Sequence, residues 1–447
     1  WKTYSLSRAI IKILFVSMKN FDPVVSEIED MHSQAHERGG KSFLRLGLLS
    51  LALLLALGLL AMTWSQSQSK EAVLGEIVIG YNADQTSDGT GLAGVSARQG
   101  FEIAIDEVNA AGGVLGRKVR GVAYDDKLDK ELSKQNVITL INVDHAVAII
   151  GPANSGNALH WINVAQESGT TVISPIATNS GITQKYKDHP RNYIFRIAPT
   201  DMNEIRVIVP YLLRKTAHER VAVLYDSTGY GVGGNKDTLD VLSRWGVVPV
   251  YSASFDRGAS SSTLTALLKR AQDAGAEGLV IYALADSTSD ILHALVAMPD
   301  YHPVLMGPYA NVIPSLWNLA GPLATMMTFG TAAAVSPGYS EDAKALDQKI
   351  VAKYGTSTPS FTFAAQGYDS TKLILNAIAH AGSADKTAIR DALEHTGLLV
   401  GAVKTYESPF SKDNHEALSV QDIILAHWRD GVVYKIDDPI VNSLHVR

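Results

Sequence analysis

Two short segments carry hydroxyl groups to places where a strand gives way to a helix: Ile150-Gly-Pro-Ala-Asn-Ser-Gly156 and Val172-Ile-Ser-Pro-Ile-Ala-Thr-Asn179. Each follows a β-branched apolar run, Val147–Ile150 in one case and Thr170–Ile173 in the other. Ligands of open parallel sheets sit beyond the carboxyl ends of the strands, where a helix start offers unpaired N–H groups and the positive end of its dipole. Ser155 and Thr178 are therefore candidates to hold a carboxylate, and Asn154 joins them from the first segment. Ser and Thr also serve anywhere as plain helix N-caps. On these two segments alone, both readings stand.

Facing residues are expected from later in the chain. Tyr225-Asp-Ser-Thr-Gly-Tyr-Gly231 ends another strand, and Tyr230 combines an apolar ring with a hydroxyl, which suits a groove around a small organic ligand. Met306-Gly-Pro-Tyr309 ends a further strand, so Tyr309 can face the same cleft. Asp201 is the acid best placed near that cleft, with a helix-capping role as its alternative.

These residues need strand ends to hold them, and the sequence supplies an alternation of strand and helix patterns. Strands are expected at Glu76–Tyr81, Val119–Tyr124, Ala146–Ile150 and Thr171–Ser174, with helices from Ala97, at Lys130–Asn142 and at Ala158–Glu167. A second set begins at Arg220–Asp226. It continues through helices at Lys236–Trp245, Ser262–Ala274 and Ser289–Ala297, with strands at Val247–Ser254, Gly278–Ala283, Pro303–Gly307 and Met326–Thr331. Helices at Glu341–Lys353, Phe363–Ala381 and Lys386–Glu394 then have no strands between them and need the first sheet to cover. Ser419–Trp428 and Val432–Ile436 read as a final antiparallel pair around Arg429-Asp-Gly431.

The pattern predicts an α/β fold of two Rossmann-like lobes with parallel-type sheets. Lobe 1 comprises 76–200 and 332–416, and lobe 2 comprises 201–331 and 417–438, with a tail at 439–447. The chain then crosses between lobes near Pro199–Asp201, Phe329–Thr331 and Glu416–Val420.

Composition narrows the function classes. With 447 residues and 46% apolar content the chain can bury a full core, and a net charge of −6 without a basic block in the globular part gives no sign of nucleic-acid binding. There are no cysteines, which removes disulfides, thiolate metal sites and thiol nucleophiles. Gly89-Thr-Gly-Leu-Ala-Gly94 matches a dinucleotide fingerprint but lies well past the end of its strand. Phosphate-loop, nucleophile-elbow and His-Glu-x-x-His motifs are missing, and the 13 histidines are scattered. No catalysis, cofactor or metal is expected.

The N-terminal part is different in kind. Leu46–Trp64 is uncharged and apolar, with Arg38, Lys41 and Arg45 before it. It is expected to be a signal peptide or membrane anchor, spanning 43–64, that sends the following chain out of the cytoplasm. Residues 1–42 are then an extension and positively charged region, with 1–30 lying upstream of a plausible start at Met31, and 65–75 form a linker.

The exported part resembles the leucine/isoleucine/valine-binding proteins of bacterial ABC importers, which have the type I periplasmic binding protein fold. The resemblance spans about 74–437 and rests on Gly100–Gly113, Tyr124-Asp-Asp126, Ile150-Gly-Pro152, Ile173–Thr178, Phe195-Arg196, Gly229-Tyr-Gly231 and Gly367-Tyr-Asp369. It implies two lobes on three hinge strands that close on a ligand and pass it to a membrane permease. It also implies that Ser155, the backbone at Ile176 and Thr178 hold the ligand carboxylate, with Tyr230 as a cleft tyrosine. Members that take branched-chain amino acids carry an acid at the position of Tyr309 for the ligand's ammonium, and here that acid is replaced by a neutral phenol. Either Asp201 receives the ammonium, as in the more distantly similar glutamate-receptor modules, or the ligand is an aromatic or keto acid without one. The expected role is a monomeric, periplasmic substrate-binding protein for an amino acid or small carboxylate. A ligand-sensing ectodomain that signals through a separate partner is the alternative.

Overall fold

The computed structural model describes residues 75–216, 219–332 and 336–442. The leader or anchor expected at 43–64, with its flanking segments, lies outside the described residues, among which no helix is long and apolar enough to cross a membrane. From Glu76 onward the chain forms one compact unit.

Within that unit the first sheet is built from β1 (Ile77–Ala83), β2 (Val119–Asp125), β3 (Ala148–Ile150), β4 (Thr171–Ser174) and β5 (Ile194–Arg196). Between them run α1 (Gly91–Ala110), α2 (Lys130–Asn142), α3 (Ser155–Glu167) and the single turn α4 (Gly181–Gln184). The strand order is β2-β1-β3-β4-β5, and every pairing is parallel. Alternate strand residues point to opposite faces. Val78, Ile149, Val172 and Ile194 therefore pack on α2 and α3 around the buried Trp161, while Ile77, Ile79 and Tyr81 meet Phe101 of α1.

The second sheet repeats this order. The chain continues through α5 (Asp201–Thr216), β6 (Val221–Asp226), α6 (Gly229–Arg244), β7 (Tyr251–Phe255), α7 (Ser261–Asp273), β8 (Gly278–Tyr282), α8 (Ala285–Val296), β9 (Val304–Gly307), α9 (Pro314–Ala320) and β10 (Met327–Ala332). After α10 (Glu341–Tyr354), α11 (Phe361–Ala381), α12 (Lys386–Leu393) and the hairpin β11 (Leu398–Val400) with β12 (Thr405–Glu407), β13 (Ile423–Arg429) and β14 (Val432–Lys435) return to it, and α13 (Pro439–Asn442) follows. The order is β14-β13-β10-β9-β8-β6-β7, with β13 and β14 antiparallel. β7-β6-β8 thus mirrors β2-β1-β3, and each sheet has its topological switch between the first strand and the third.

The unpartnered helices of the sequence find the place their apolar stripes require. Helix α11 lies along α1, and α10 packs on α1 as well. The crossing of α11 with α1 is tight enough to require glycine from both sides: a Cβ on Gly100 would lie 1.9 Å from the Ala364 carbonyl oxygen, and one on Gly367 would lie 2.0 Å from that of Ala97. Two residues on, buried Asp369 accepts the N–H groups of Ala402 and Val403 at 2.7 and 2.8 Å and the Tyr406 hydroxyl at 3.0 Å. The Gly367-Tyr-Asp369 motif is thereby a helix crossing plus an anchor for the β11–β12 hairpin. Gly367→Ala is expected to force these helices apart and cost at least ~1–3 kcal/mol, as overpacking does. Urea melts that leave stability unchanged would show that the crossing yields instead.

Chain returns converge on one ion pair. Arg196, fully buried at the end of β5, donates to both carboxylate oxygens of Glu416 at 2.7 and 2.6 Å. Its backbone bonds both neighbours of Glu416: its N–H donates to the His415 carbonyl and its own carbonyl accepts from Ala417, each at 2.9 Å. This bidentate pairing fixes the last passage of chain from the first sheet towards the second.

Candidate functional site

Strand ends from both sheets meet at one narrow cavity. Its lining comes from the segment after β1 (Thr90), after β3 (Ala153, Asn154, Ser155), after β4 (Ile176, Ala177, Thr178), after β6 (Tyr230), after β8 (Leu284) and after β9 (Tyr309, Ala310, Ile313), with Phe363 of α11. Six of the seven residues singled out from sequence are in this wall. Asp201 is the exception, since it lies behind the wall and is fully buried.

The N-cap reading of the two hydroxyls is corrected. Asn154 is the cap of α3, its side chain accepting the Asn157 N–H at 3.2 Å. Ser155 is the first residue within the helix, and its hydroxyl accepts the N–H of Asn179 at 3.2 Å. That contact ties the two opening segments together. Thr178 caps nothing: α4 starts later, after Ser180, and the Thr178 hydroxyl oxygen is buried with no hydrogen-bond partner. Around it the backbone is held rigidly, because Arg196 donates to the Asn179 carbonyl at 2.7 Å and the Thr178 carbonyl accepts the Asp201 N–H at 2.9 Å. The start of α3 and the cavity edge of this buried segment thus offer hydroxyls and N–H groups on one side of the cavity, a donor set for an anion.

The opposite wall is aromatic. Tyr230 is in the first turn of α6, which begins at Gly229 rather than at the Lys236 expected from apolar periodicity. Its ring stacks obliquely on Tyr282 with centroids 5.0 Å apart, and its hydroxyl accepts the Ala310 N–H at 3.4 Å. Tyr309 meets Phe363 edge-on, with centroids also 5.0 Å apart. Its hydroxyl donates to Gln366. Burial pushes the phenols of Tyr230 and Tyr309 well above their ordinary range, so both are neutral. The two halves also touch directly. Asn179 donates to the Gly229 carbonyl at 2.7 Å, Ser180 to Asp237 at 2.5 Å, and a Cβ on Gly229 would lie 3.1 Å from the Cα of Gly156.

Behind the tyrosines lie two acids. Asp201, at the first position of α5, has no hydrogen-bond partner on either carboxylate oxygen, so the capping alternative is also set aside; the Thr200 hydroxyl takes the Asn203 N–H instead, at 2.9 Å. Burial pushes the Asp201 carboxyl up to about 7. The hydroxyls of Thr178 and Tyr282 stand close enough to pull it back down, but neither closes a bond of good geometry. Glu204, also fully buried, is raised well above its usual range by burial and by the Asp201 charge.

Sequence reasoning missed Thr90, Leu284, Phe363 and Glu204. Leu284 follows a strand end, and Glu204 is one helical turn beyond Asp201, so position rules alone point to both. Phe363 arrives from a distant helix, and no local signal marks it.

Comparison with known proteins agrees with this architecture. Residues 76–431 match the family model described as periplasmic binding protein. An amino acid binding protein of Pseudomonas aeruginosa is 25% identical over 394 residues, covering 87% of this chain and 97% of its own. The Leu/Ile/Val-binding protein homolog 3 of Brucella melitensis is 23% identical over 368 residues, covering 82% and 95%. Among solved structures, a type 1 periplasmic binding protein from Bordetella pertussis superimposes with a TM-score of 0.72 at 23% identity, over 81% of this chain and 99% of its own. A leucine binding protein from Thermotoga maritima gives 0.69 at 21% identity, over 82% and 100%. At such identities these structures establish the fold.

Proposed function

Because the chain belongs to the periplasmic binding protein family, we propose that it is the exported substrate-binding component of an ABC importer and takes an amino acid of branched-chain type, or a related small carboxylate, in the cavity between its two sheets. The observation that carries this reading is the wall itself: hydroxyls and the N-terminus of α3 on one side, neutral aromatic rings on the other. Ser155, Thr178 and the backbone at Ile176 hold the carboxylate, Asn154 keeps α3 in place, and Tyr230 and Tyr309 enclose the apolar part. The lobes are 76–200 with 332–416 and 201–331 with 417–438, and they close about the three crossings. The closed, liganded monomer is the form that a membrane permease recognises. No covalent chemistry is involved, and the protein works outside the cytoplasm. The matched relatives, named as amino acid and Leu/Ile/Val-binding proteins, support the ligand class.

A thermal-shift screen against amino acids, keto acids and aromatic acids tests it. A true ligand at 100 times its dissociation constant adds about 2.7 kcal/mol to stability. Ser155→Ala with Thr178→Val is expected to abolish that shift, since each lost hydrogen bond to a carboxylate is worth ~1.5–3 kcal/mol. If no carboxylate shifts the wild type, or if the double variant responds as the wild type does, the proposal fails.

A further inference from the structure

Helix α6 opens with Gly229-Tyr-Gly-Val-Gly-Gly234, although glycine is poorly suited to a helix interior. Two of these glycines serve their own half of the molecule: a Cβ on Gly231 would lie 2.1 Å from the Asp226 carbonyl oxygen, and one on Gly234 would lie 2.0 Å from the Tyr282 ring. The other two face the opposite half. A Cβ on Gly229 would meet the Cα of Gly156, and one on Gly233 would lie 1.9 Å from the Asn179 amide nitrogen. Gly229, Gly233 and Asp237 are four residues apart and so form one row along α6. The segment after β4 is fitted to that row. Asn179 donates from its amide to the Gly229 carbonyl at 2.7 Å, while its side-chain oxygen accepts the Gly181 N–H at 2.8 Å. The Ser180 hydroxyl donates to Asp237 at 2.5 Å and accepts the Met202 N–H at 3.2 Å. The Asn179 backbone is tied into the first half by the Ser155 hydroxyl and by Arg196. Thr178, one residue earlier, is in the cavity wall, whereas Asn179, Ser180, Gly233 and Asp237 are not.

We infer that Asn179 and Ser180 are positioning residues that set ligand affinity from outside the cavity, by seating the Thr178 segment in the Gly229–Gly233–Asp237 row of α6. This rests on the closure of two lobes proposed above. The two bonds join the halves without passing through the ligand, so they favour the closed form whatever the cavity holds. An apparent dissociation constant varies inversely with the fraction of molecules in the binding-competent form. Weakening the seat therefore lowers affinity for every ligand by one common factor, whereas a change in the cavity wall alters the ranking of ligands. Gly233→Ala is the sharpest probe. Alanine suits a helix better than glycine, so α6 is kept, but the new methyl group takes the place of the Asn179 amide and drives it off the Gly229 carbonyl.

Spin-label distances test this without any ligand. Lys130 and Ser262 are exposed in the first turns of α2 and α7, beyond the carboxyl ends of the edge strands β2 and β7, so nitroxides there report the gap between the halves. The chain has no cysteine of its own, and Lys130→Cys with Ser262→Cys carries the labels at two sites only. Gly233→Ala is expected to shift the distances to longer values. Adding Asn179→Ala removes the collision and is expected to bring back part of the shorter population, a coupling between residues of opposite halves. Identical distances in wild type and Gly233→Ala overturn the inference, as does a double variant no shorter than Gly233→Ala. Should Gly233→Ala fail to fold, Ser180→Ala, which removes the second bond and adds no atom, must lengthen the distances or the inference falls. Calorimetry with L-leucine and its 2-oxo acid gives the second readout: Gly233→Ala is expected to weaken whichever of them the wild type binds by roughly tenfold, and by the same factor where both bind. Unchanged affinity, or a loss confined to one of two bound ligands, overturns the inference and leaves the carboxylate site standing. A wild type that binds no carboxylate removes the carboxylate reading, and the distances then decide the seat by themselves.

Discussion

Asp201→Asn is expected to raise the melting temperature of the ligand-free protein at pH 7.5, and the gain should shrink as the solution is acidified. The folded carboxyl is pushed up to about 7 by burial, against an unfolded value of about 3.9. The folded state therefore holds the Asp201 proton more tightly than the unfolded chain, and stability from this group is lost as pH rises from near 4 through 7. Three pH units at about 1.36 kcal/mol each set the relief in the amide variant at roughly 4 kcal/mol above pH 7, falling to nothing below about pH 4. The Thr178 and Tyr282 hydroxyls beside the carboxyl are likewise buried without partners, and the amide brings no charge among them. A variant that melts at or below the wild-type temperature at pH 7.5 would mean that Asp201 is stabilised as an anion after all.

Arg196→Ala should have the largest effect of the opposite sign. It strands Glu416, whose carboxylate is nearly buried, and removes the donor that pins the Asn179 carbonyl. Breaking one half of a buried pair typically costs ~3–5 kcal/mol. Replacing both partners with apolar residues of similar volume, Arg196→Met with Glu416→Leu, should be distinctly milder, because no charge is left behind. Urea denaturation of the three proteins tests this. The double variant is also expected to bind ligand weakly, since the Thr178 segment has lost its buttress. If the single variant loses less than about 1 kcal/mol, the pair contributes no more than a surface contact would.

Much of this architecture was legible in the sequence, for an identifiable reason. Strands of parallel sheets are covered on both faces and read as apolar runs, so β1, β3, β4, β6 and β8 were found close to their observed ends, and strand ends locate ligands. That is why Ser155, Thr178, Tyr230 and Tyr309 converge on one cavity. Helix starts were less visible. α3, α6 and α8 begin three to seven residues before their apolar stripes, because Ser155–Asn157, Gly229–Gly234 and Ala285–Ser289 carry mostly small and polar residues, with Tyr230 and Val232 of α6 the exceptions. The same economy hid which residue caps α3. Nothing local distinguishes a Ser that caps a helix from one just inside it whose hydroxyl bonds a neighbouring segment. Asp201 was placed in the right region but on the wrong side of the wall, since the direction of a side chain at a helix start depends on what packs against it.

The close approach of Gly156 and Gly229 has a consequence for selectivity. Both glycines lie in the first turn of a helix, α3 and α6, so two dipole ends worth roughly half a positive charge each are brought together. No Cβ stands between the two glycines, so the two backbone ends approach each other directly. Bringing like-signed ends together leaves a positive backbone field there, which favours an anion over a cation. A preference of this kind is set by the chain path and adds to whatever the side chains of the cavity contribute, so drift among the aromatic residues leaves its sign unchanged.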